Sequence, residues 1–251
     1  MNEIPVLDKG FVRLVGYGVD LVDTLPYGYD DHTAVNSRII PEDMTLDAQI
    51  VRAARVSYGK GTKTVRDDEK LIRYLLKHEH WSPFEMVEFK FHVKAPIFVA
   101  RQWFRHRTAS VNEISGRYSV IEDEFYVPKV WRLQDTKNKQ GSVGQLDPLT
   151  NAYATDAYTE ALEYAYKAYQ ALLNAGVARE MARMVLPVSV YTQFYWKQDL
   201  RNLLHFLKLR LDSHAQWEIR QYAEAILELI RPLVPVTVAA WEELYVQADG
   251  H

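Results

Sequence analysis

The stretch MVEFKFHVKAPIFVARQWFRH, residues 86–106, decides the fold because a strand and a helix follow one another directly within it. Apolar and polar side chains alternate from Val87 to Lys94, which is the two-residue period of a half-buried strand. Pro96 then suits the first turn of a helix, because its missing N–H needs no partner there. We therefore predict a sheet strand that passes directly into a short helix ending near His106.

The rest of the chain divides into a mixed first half and a helical second half. In the first half we predict a strand at 11–15, a polar loop to about residue 44, and helices at 45–55 and 67–79. Residues 133–148 are polar, and we expect a mobile connection there. Beyond it, apolar residues recur at steps of three and four in three segments, Tyr158–Leu172, Leu200–Leu211 and Ile219–Ile230. The predicted fold class is α+β, with a sheet-containing N-terminal half packed with a helical C-terminal half in a single domain.

Composition excludes several classes of function. The chain has 251 residues and no cysteine, so thiolate metal sites, disulfides and a cysteine nucleophile are all excluded. Its net charge of -3 argues against a general nucleic-acid or membrane binder. There is no run of eighteen apolar residues and no basic-then-apolar amino terminus, so we expect a cytoplasmic protein. His78 and His80 do not share a helical face, and we predict no metal site.

The segment RHRTASVNEISGRY, residues 105–118, fits neither a helical nor a strand period. Arg101 and Arg105 share one face of the helix that enters it, and guanidinium groups fit phosphate. Gln102 offers an amide that can match the edge of a base. Glycine in Ser115-Gly116-Arg117 lets backbone N–H groups approach an anion closely. The segment is typical of a site for a phosphorylated, planar, hydrogen-bonding molecule such as a nucleotide.

Simpler interpretations of the same residues exist. An arginine cluster on a surface helix is more often a solvated face than a binding site. Asn112 and Ser115 could cap or turn the loop. Ser115 as a nucleophile would need a neighbouring base, and the sequence does not show that His106 points at it. The density of polar groups without a local structural need favours the nucleotide site.

These residues also resemble a known family. RHRTASVNEISGRY is similar to the RHRxxSxNExSxRY-type signature of flavin-dependent thymidylate synthases at each defining position. Five further blocks occur in the family's order, AARVSY, WSPFE, FHVKAPIFVARQWFRHR, AREMARMVLP and LRLDSHAQWEIRQYA. Residues 1–251 are accordingly predicted to be a single catalytic domain with its core at about 45–235.

The resemblance implies an activity, cofactors and site residues. It implies a homotetramer with active sites shared between subunits, each binding FAD and methylating dUMP with carbon from methylenetetrahydrofolate and reducing power from NADPH. The residues implied to hold dUMP are Gln102, Arg105, Glu113, Ser115, Gly116, Arg117, Arg183 and Arg210. Those implied to contact FAD are Ser57, Ser82, Arg105, His106, Arg107, Glu113, Asp199, Arg201 and His205, with His80 and Glu85 near the flavin. Ser82 stands where threonine is usual, and Asp199 and His205 depart from the amides that are usual in the family.

The chemistry is consistent with a chain that has no cysteine. A thiolate cannot add to the uracil ring here, but a guanidinium at the N3/O2 edge can stabilise an anion and raise the electron density at C5. Arg210 is the candidate for that catalytic role. We expect Ser115, the other catalytic candidate, to position the substrate rather than attack it.

Three alternatives remain open at this level. A nucleic-acid binder using the arginine-rich segment predicts salt-sensitive binding to long RNA or DNA. We expect no obligatory nucleic-acid partner and no membrane partner. A flavin enzyme acting on another pyrimidine nucleotide, or a helical scaffold with a charged surface and no ligand, would differ in a substrate panel.

Overall fold

A computed structural model of the protein describes residues 2–18, 45–55 and 67–246. The strand predicted within 86–95 lies at the centre of a five-stranded antiparallel sheet. The strands of this sheet are β1 (Glu3–Val6), β2 (Gly10–Tyr17), β3 (Glu88–Pro96), β4 (Ser110–Glu113) and β7 (Tyr191–Asp199). They are arranged in the order β1-β2-β3-β7-β4. Most of the polar loop predicted up to residue 44 lies outside the described residues.

The helices follow the predicted apolar periods closely. The helices are α1 (Asp47–Arg55), α2 (Asp68–Lys77), α3 (Ile97–Trp103), α4 (Pro148–Asn174), α5 (Arg179–Ala182), α6 (Leu200–Leu211), α7 (Trp217–Ile230) and α8 (Pro235–Trp241). Single 3-10 turns occupy Ser82–Met86 and Arg183–Val185, and a π-helical turn closes the described chain at Glu242–Val246. Asp67 caps α2 and Asp147 caps α4 by accepting backbone N–H groups of the first turn. None of the described helices has both the length and the apolarity to cross a bilayer.

One face of the sheet carries the main core. Phe89, Phe91 and Val93 of β3 are fully buried, while the alternating residues point to the other face. Helices α1, α2, α6, α7 and α8 supply the residues that pack with them. The predicted fold class is therefore confirmed, because helices of the C-terminal half cover a sheet built largely from the N-terminal half.

Strand β7 was not predicted from the sequence. It comes from the C-terminal half yet pairs with β3 on one side and β4 on the other. Its buried residues alternate at Phe194, Trp196 and Gln198, so the period of a strand was present in the sequence.

The connection at 133–148 also contains structure that was not predicted. Two short strands, β5 (Leu133–Gln134) and β6 (Ser142–Val143), pair as a hairpin. The side-chain amide of Gln134 donates to the carbonyl oxygens of Asp135, Lys139 and Gly141 and closes the turn. Local side-chain to backbone bonds of this kind leave no apolar period in the sequence.

Candidate active site

Helix α3 and strand β4 position the arginine-rich segment. Trp103, the last residue of α3, is fully buried and fixes the point where the chain leaves the core. Residues 104–109 then cross to β4, whose only strand partner among the described residues is β7. All four residues of β4 are exposed. The segment is thus an edge strand with its side chains open to a ligand or a partner.

Arg210, in the last turn of α6, is held against the end of α3. Its Nε donates to Nε2 of His106 at 3.0 Å, and its Nη2 donates to the backbone oxygen of Gln102 at 3.2 Å. Because Nε2 of His106 accepts this bond, the proton of the neutral imidazole lies on Nδ1. Arg210 Nη1 carries two further N–H groups in a fixed plane, which suits an oxygen-rich ligand.

Burial controls the electrostatics of this pair. Burial lowers the pKa of the Arg210 guanidinium below its ordinary value, yet arginine stays charged at any physiological pH. Burial, then the positive charge of Arg210, then His205 lower the pKa of His106 to about 4. His106 is therefore a neutral acceptor at neutral pH, and Arg210 keeps its full charge for a ligand.

The low pKa of His106 predicts a pH-dependent stability. Because the unfolded state binds a proton near pH 6.5 and the folded state only near pH 4, the free energy of unfolding should fall as the pH is lowered through this interval. Urea unfolding at pH 7, 6, 5 and 4 measures the slope. His106→Gln should flatten it, and His78→Gln, which removes an exposed histidine, is the matched control. An unchanged slope in His106→Gln would contradict this assignment.

A second group of predicted residues lies together around Gly116. A Cβ atom at Gly116 would come within 2.9 Å of Cδ1 of Ile121 and 3.3 Å of Cδ of Arg183, so glycine allows Arg183 to approach the backbone. Ser115 Oγ accepts from the backbone N–H of Arg117 at 3.3 Å. The Arg117 guanidinium donates to Glu180 at 3.1 Å, and both side chains are exposed. Ser115, Gly116, Arg117 and Arg183 thus lie together on one surface that carries two guanidinium groups.

The site carries an unneutralised positive charge. Within residues 2–18, 45–55 and 67–246, the side chains of Arg105, Arg107 and Arg183 make no hydrogen bond or ion pair, and each is exposed. Surface guanidinium groups without a carboxylate partner are suited to bidentate recognition of phosphate. Glu113 is differently placed, because its Oε1 accepts from Thr192 Oγ1 at 2.7 Å across the strand pair.

A separate cavity of about 380 Å³ has two of the predicted flavin residues in its lining. Arg201 and His205 of α6 line it together with the aromatic rings of Trp81 and Tyr245. Glu85 accepts a charged hydrogen bond from Arg201, which lines this cavity. Ser82 begins the adjoining 3-10 turn and is exposed, while Ser57 lies outside the described residues. Cationic donors beside flat apolar walls fit a dinucleotide with a planar ring.

Rings of histidine connect the two regions. The His106 and His205 ring centroids are 6.1 Å apart, so His205, which lines the cavity, lies beside the histidine that Arg210 contacts. Asp199 caps α6, because its carboxylate accepts from the backbone and side chain of Asn202. Among the described residues, no hydrogen bond or ion pair joins Arg210 or Gln102 to the surface around Gly116. The predicted nucleotide residues therefore show two groups of contacts, one around Arg210 and one around Gly116.

Sequence reasoning missed several residues of these surfaces. Thr192 donates to Glu113, while Trp81 and Tyr245 line the cavity that also includes Arg201 and His205. Glu218, in the first turn of α7, is 3% exposed. Its carboxylate accepts a hydrogen bond from Gln216, which itself accepts from Gln102. The signal for Glu218 was available, because an acidic residue stands directly beside Ile219 in the apolar period of this helix.

An amide beside a half-buried guanidinium, together with exposed arginines at a glycine turn, is a donor set typical of nucleotide-binding proteins. Comparison with known proteins gives the particular group. The family described as thymidylate synthase complementing protein matches residues 39–236. The chain belongs to this family, whose members include the flavin-dependent thymidylate synthases.

Individual relatives cover nearly the whole chain. A protein named flavin-dependent thymidylate synthase from Thermus thermophilus is 59% identical over 96% of this chain and 78% of its own length. One of the same name from Dictyostelium discoideum is 54% identical over 95% of this chain and 73% of its own length. Among solved structures, the UMP/dUMP methylase PolB from Streptomyces cacaoi, bound with 5-Br dUMP, has a TM-score of 0.77 at 34% identity. That superposition covers 96% of this chain and 98% of the methylase.

Proposed function

We propose that the protein converts dUMP to dTMP as a flavin-dependent thymidylate synthase. The observation that carries this proposal is Arg210, held by His106 and Gln102 with its remaining N–H groups directed away from both. The names of the relatives support the same activity. A chain without cysteine needs a route to a nucleophilic C5 atom that does not use a thiolate.

Arg210 supplies that route in the proposed mechanism. A uracil ring that releases its N3 proton to solvent carries negative charge at N3 and O2, and a guanidinium fixed beside that edge stabilises this anion. The anionic ring has a higher electron density at C5, which lets C5 attack an electrophilic carbon. His106 contributes by accepting from Nε, which aligns the guanidinium plane before the substrate arrives. Because the site is partly buried, this interaction is stronger than it would be in water.

The remaining nucleotide contacts divide between base and phosphate. Gln102 pairs with the uracil edge through its amide, while Arg105, Arg117 and Arg183 neutralise the phosphate with the Ser115 hydroxyl and the backbone at Gly116. Glu113, oriented by Thr192, accepts from a hydroxyl of the sugar or flavin. Ser115 positions the substrate, because its Oγ contacts a backbone N–H and no imidazole among the described residues.

FAD is the proposed cofactor, with NADPH and methylenetetrahydrofolate as co-substrates. The residues proposed to hold FAD are Ser57, Ser82, Arg105, His106, Arg107, Glu113, Asp199, Arg201 and His205. When bound, the reduced flavin supplies the hydride that completes the methyl group. The protein's own part is to place cationic side chains at the diphosphate and to keep water from the reacting ring.

A homotetramer is the proposed assembly, in a cytoplasmic enzyme. The contacts within one chain form two groups, around Arg210 and around Gly116, and a second subunit can add residues to each. Several apolar residues near the Gly116 surface are exposed, among them Met181 at 53%, Met184 at 73% and Val188 at 61%. Helix α4 likewise buries only Leu162 and Tyr169 along its 27 residues. Exposed apolar surface of this kind marks a subunit interface.

Visible absorption of the purified protein provides the first test. Adding FAD should change the flavin spectrum, and adding dUMP should change it again, because both ligands occupy adjoining surfaces. Turnover with methylenetetrahydrofolate and NADPH should then yield dTMP. A flat response to FAD at micromolar protein would refute the proposal, and salt-sensitive binding of RNA in its place would favour the nucleic-acid alternative.

A second substrate is suggested by the structural relative. That protein is named a UMP/dUMP methylase and was bound with analogues of both nucleotides. Including UMP beside dUMP in the turnover assay separates a 2'-deoxy-specific enzyme from one that tolerates the ribose hydroxyl.

A further inference from the structure

A chain of hydrogen bonds leads from Gln102 to a buried carboxylate. Gln102 Nε2 donates to Oε1 of Gln216, the residue that precedes α7. Gln216 Nε2 in turn donates to Oε2 of Glu218 at 2.9 Å. Glu218 is almost fully buried, and a buried charge persists only where it is paired and hydrogen-bonded. The groups around Glu218 therefore determine whether it accepts or donates in this chain of hydrogen bonds.

Glu218 is surrounded by groups that donate. Arg132 Nη2 donates to both carboxylate oxygens, at 2.8 and 3.0 Å, and the Tyr126 hydroxyl donates to Oε1 at 3.2 Å. Burial and then the neighbouring charge of Glu218 raise the pKa of Tyr126 well above its ordinary value, so this phenol keeps its proton. The first turn of α7 also favours a negative charge. Glu218 is thus a carboxylate that only accepts hydrogen bonds.

The Glu218 carboxylate determines which group donates in each hydrogen bond between Gln102 and Glu218. Gln216 must turn its NH₂ group toward Glu218, so its carbonyl oxygen faces Gln102. Gln102 must therefore turn its own NH₂ group toward Gln216, which leaves its carbonyl oxygen Oε1 and one N–H for a ligand. An isolated glutamine has no such preference, because its oxygen and nitrogen can exchange places by rotation of the amide.

We propose that Glu218 is a positioning residue that sets the hydrogen-bonding polarity of Gln102 toward the pyrimidine ring. The inference rests on the proposed function, in which Gln102 binds the base. Uracil offers an N3–H donor flanked by two carbonyl acceptors, which matches a presented oxygen beside an N–H. Cytosine offers an N3 acceptor beside an amino donor, which would need the reversed amide. The relay through Gln216 therefore selects uracil over cytosine.

Arg132 explains how the carboxylate is kept in place. This residue lies immediately before the 133–143 hairpin, and its Nε donates to Ser142 Oγ at 2.9 Å. The guanidinium also lies over the Trp217 ring, 5.5 Å from the centroid. No role was predicted for the 133–143 hairpin from the sequence. In the structure this hairpin holds Arg132, the ion-pair partner of Glu218, in place.

Two variants test the relay. Glu218→Gln keeps the shape but can donate as well as accept, so Gln216 and Gln102 are free to reverse. Gln216→Ala removes the middle of the relay and leaves Glu218, Arg132 and Tyr126 together. Equilibrium binding of dUMP and dCMP to the FAD-loaded protein is measured for each, with melting temperatures. We expect the preference for dUMP over dCMP to fall about tenfold, the value of one hydrogen bond of fixed polarity.

The control is Glu224→Gln, which makes the same chemical change at an exposed position of α7. Glu224→Gln should leave the preference for dUMP over dCMP unchanged. Loss of a negative charge elsewhere on α7 does not reverse the orientation of the Gln102 amide. If Gln216→Ala keeps the wild-type preference, the relay is refuted, whether or not Glu218→Gln folds. Wild-type protein that fails to bind dUMP at all would instead refute the proposed function.

Discussion

Arg210→Ala should reduce dTMP formation by about a hundredfold or more, the cost of removing one preorganised donor from a charge-stabilising site. The reason is the loss of the cation that His106 and the Gln102 carbonyl hold at the end of α3. Because the guanidinium acts on charge that develops during the reaction, kcat should fall more than the affinity for dUMP. Single-turnover formation of dTMP with prereduced enzyme measures the chemical step directly.

One further variant separates the charge of Arg210 from its geometry, and another serves as a control at an exposed arginine. Arg210→Lys keeps the positive charge but loses the planar fork and the bond from Nε to His106, so we expect only partial recovery. Arg231→Ala removes an exposed arginine that pairs with Glu242, and it should leave turnover unchanged. If Arg210→Ala retained turnover close to that of the wild type, Arg210 would have no part in the chemistry.

Trp103→Ala should lower the free energy of unfolding by about 3–5 kcal/mol, as other buried aromatic truncations do. The indole is fully buried, with ring centroids of Phe206, Trp196 and Phe194 at 5.0, 5.3 and 5.4 Å. Since a typical domain is stable by about 5–15 kcal/mol, this loss is a large share of the total. Urea unfolding at a fixed protein concentration measures it.

The same change should also weaken ligand binding. Trp103 follows Gln102 directly, so a cavity at this position allows the start of the 104–109 segment to shift. Trp103→Phe should recover most of the stability, because an aromatic ring still fills the site. Tyr74→Ala, which truncates an aromatic residue that is 44% exposed, should cost far less. Equal losses for Trp103→Ala and Tyr74→Ala would show that Trp103 does not anchor the core.

The periodic segments of the sequence predicted the helices, the central strand and the fold class. The pairing of strands that are distant in sequence was not predicted. The alternation in β3 and the apolar steps of α4, α6 and α7 each arise from one face of one element, so a single stretch contains the whole signal. Strand β7 carries the same alternation, but its place between β3 and β4 depends on partners about a hundred residues away. The fold class was therefore predictable, and the strand order was not.

The candidate site divides in a similar way. The residue types of the 105–118 segment indicated phosphate and base recognition, because a high density of arginines and a glycine between polar residues are local features of the sequence. The contact of Arg210 with His106 spans 104 residues and that of Gln102 with Gln216 spans 114, so neither could be read from spacing. Burial of Glu218 likewise depends on Arg132 and Tyr126, which belong to other parts of the chain.

The position of β7 also determines when the nucleotide-binding edge can form during synthesis. Strand β4 has no other strand partner in the described chain, and its partner residues run from Phe194 to Lys197. A ribosome that has released residues 105–118 must therefore add some eighty more before the sheet can accept β4. At about 5–20 residues per second, the nascent chain exposes its arginine-rich segment for several seconds in the presence of cellular polyanions.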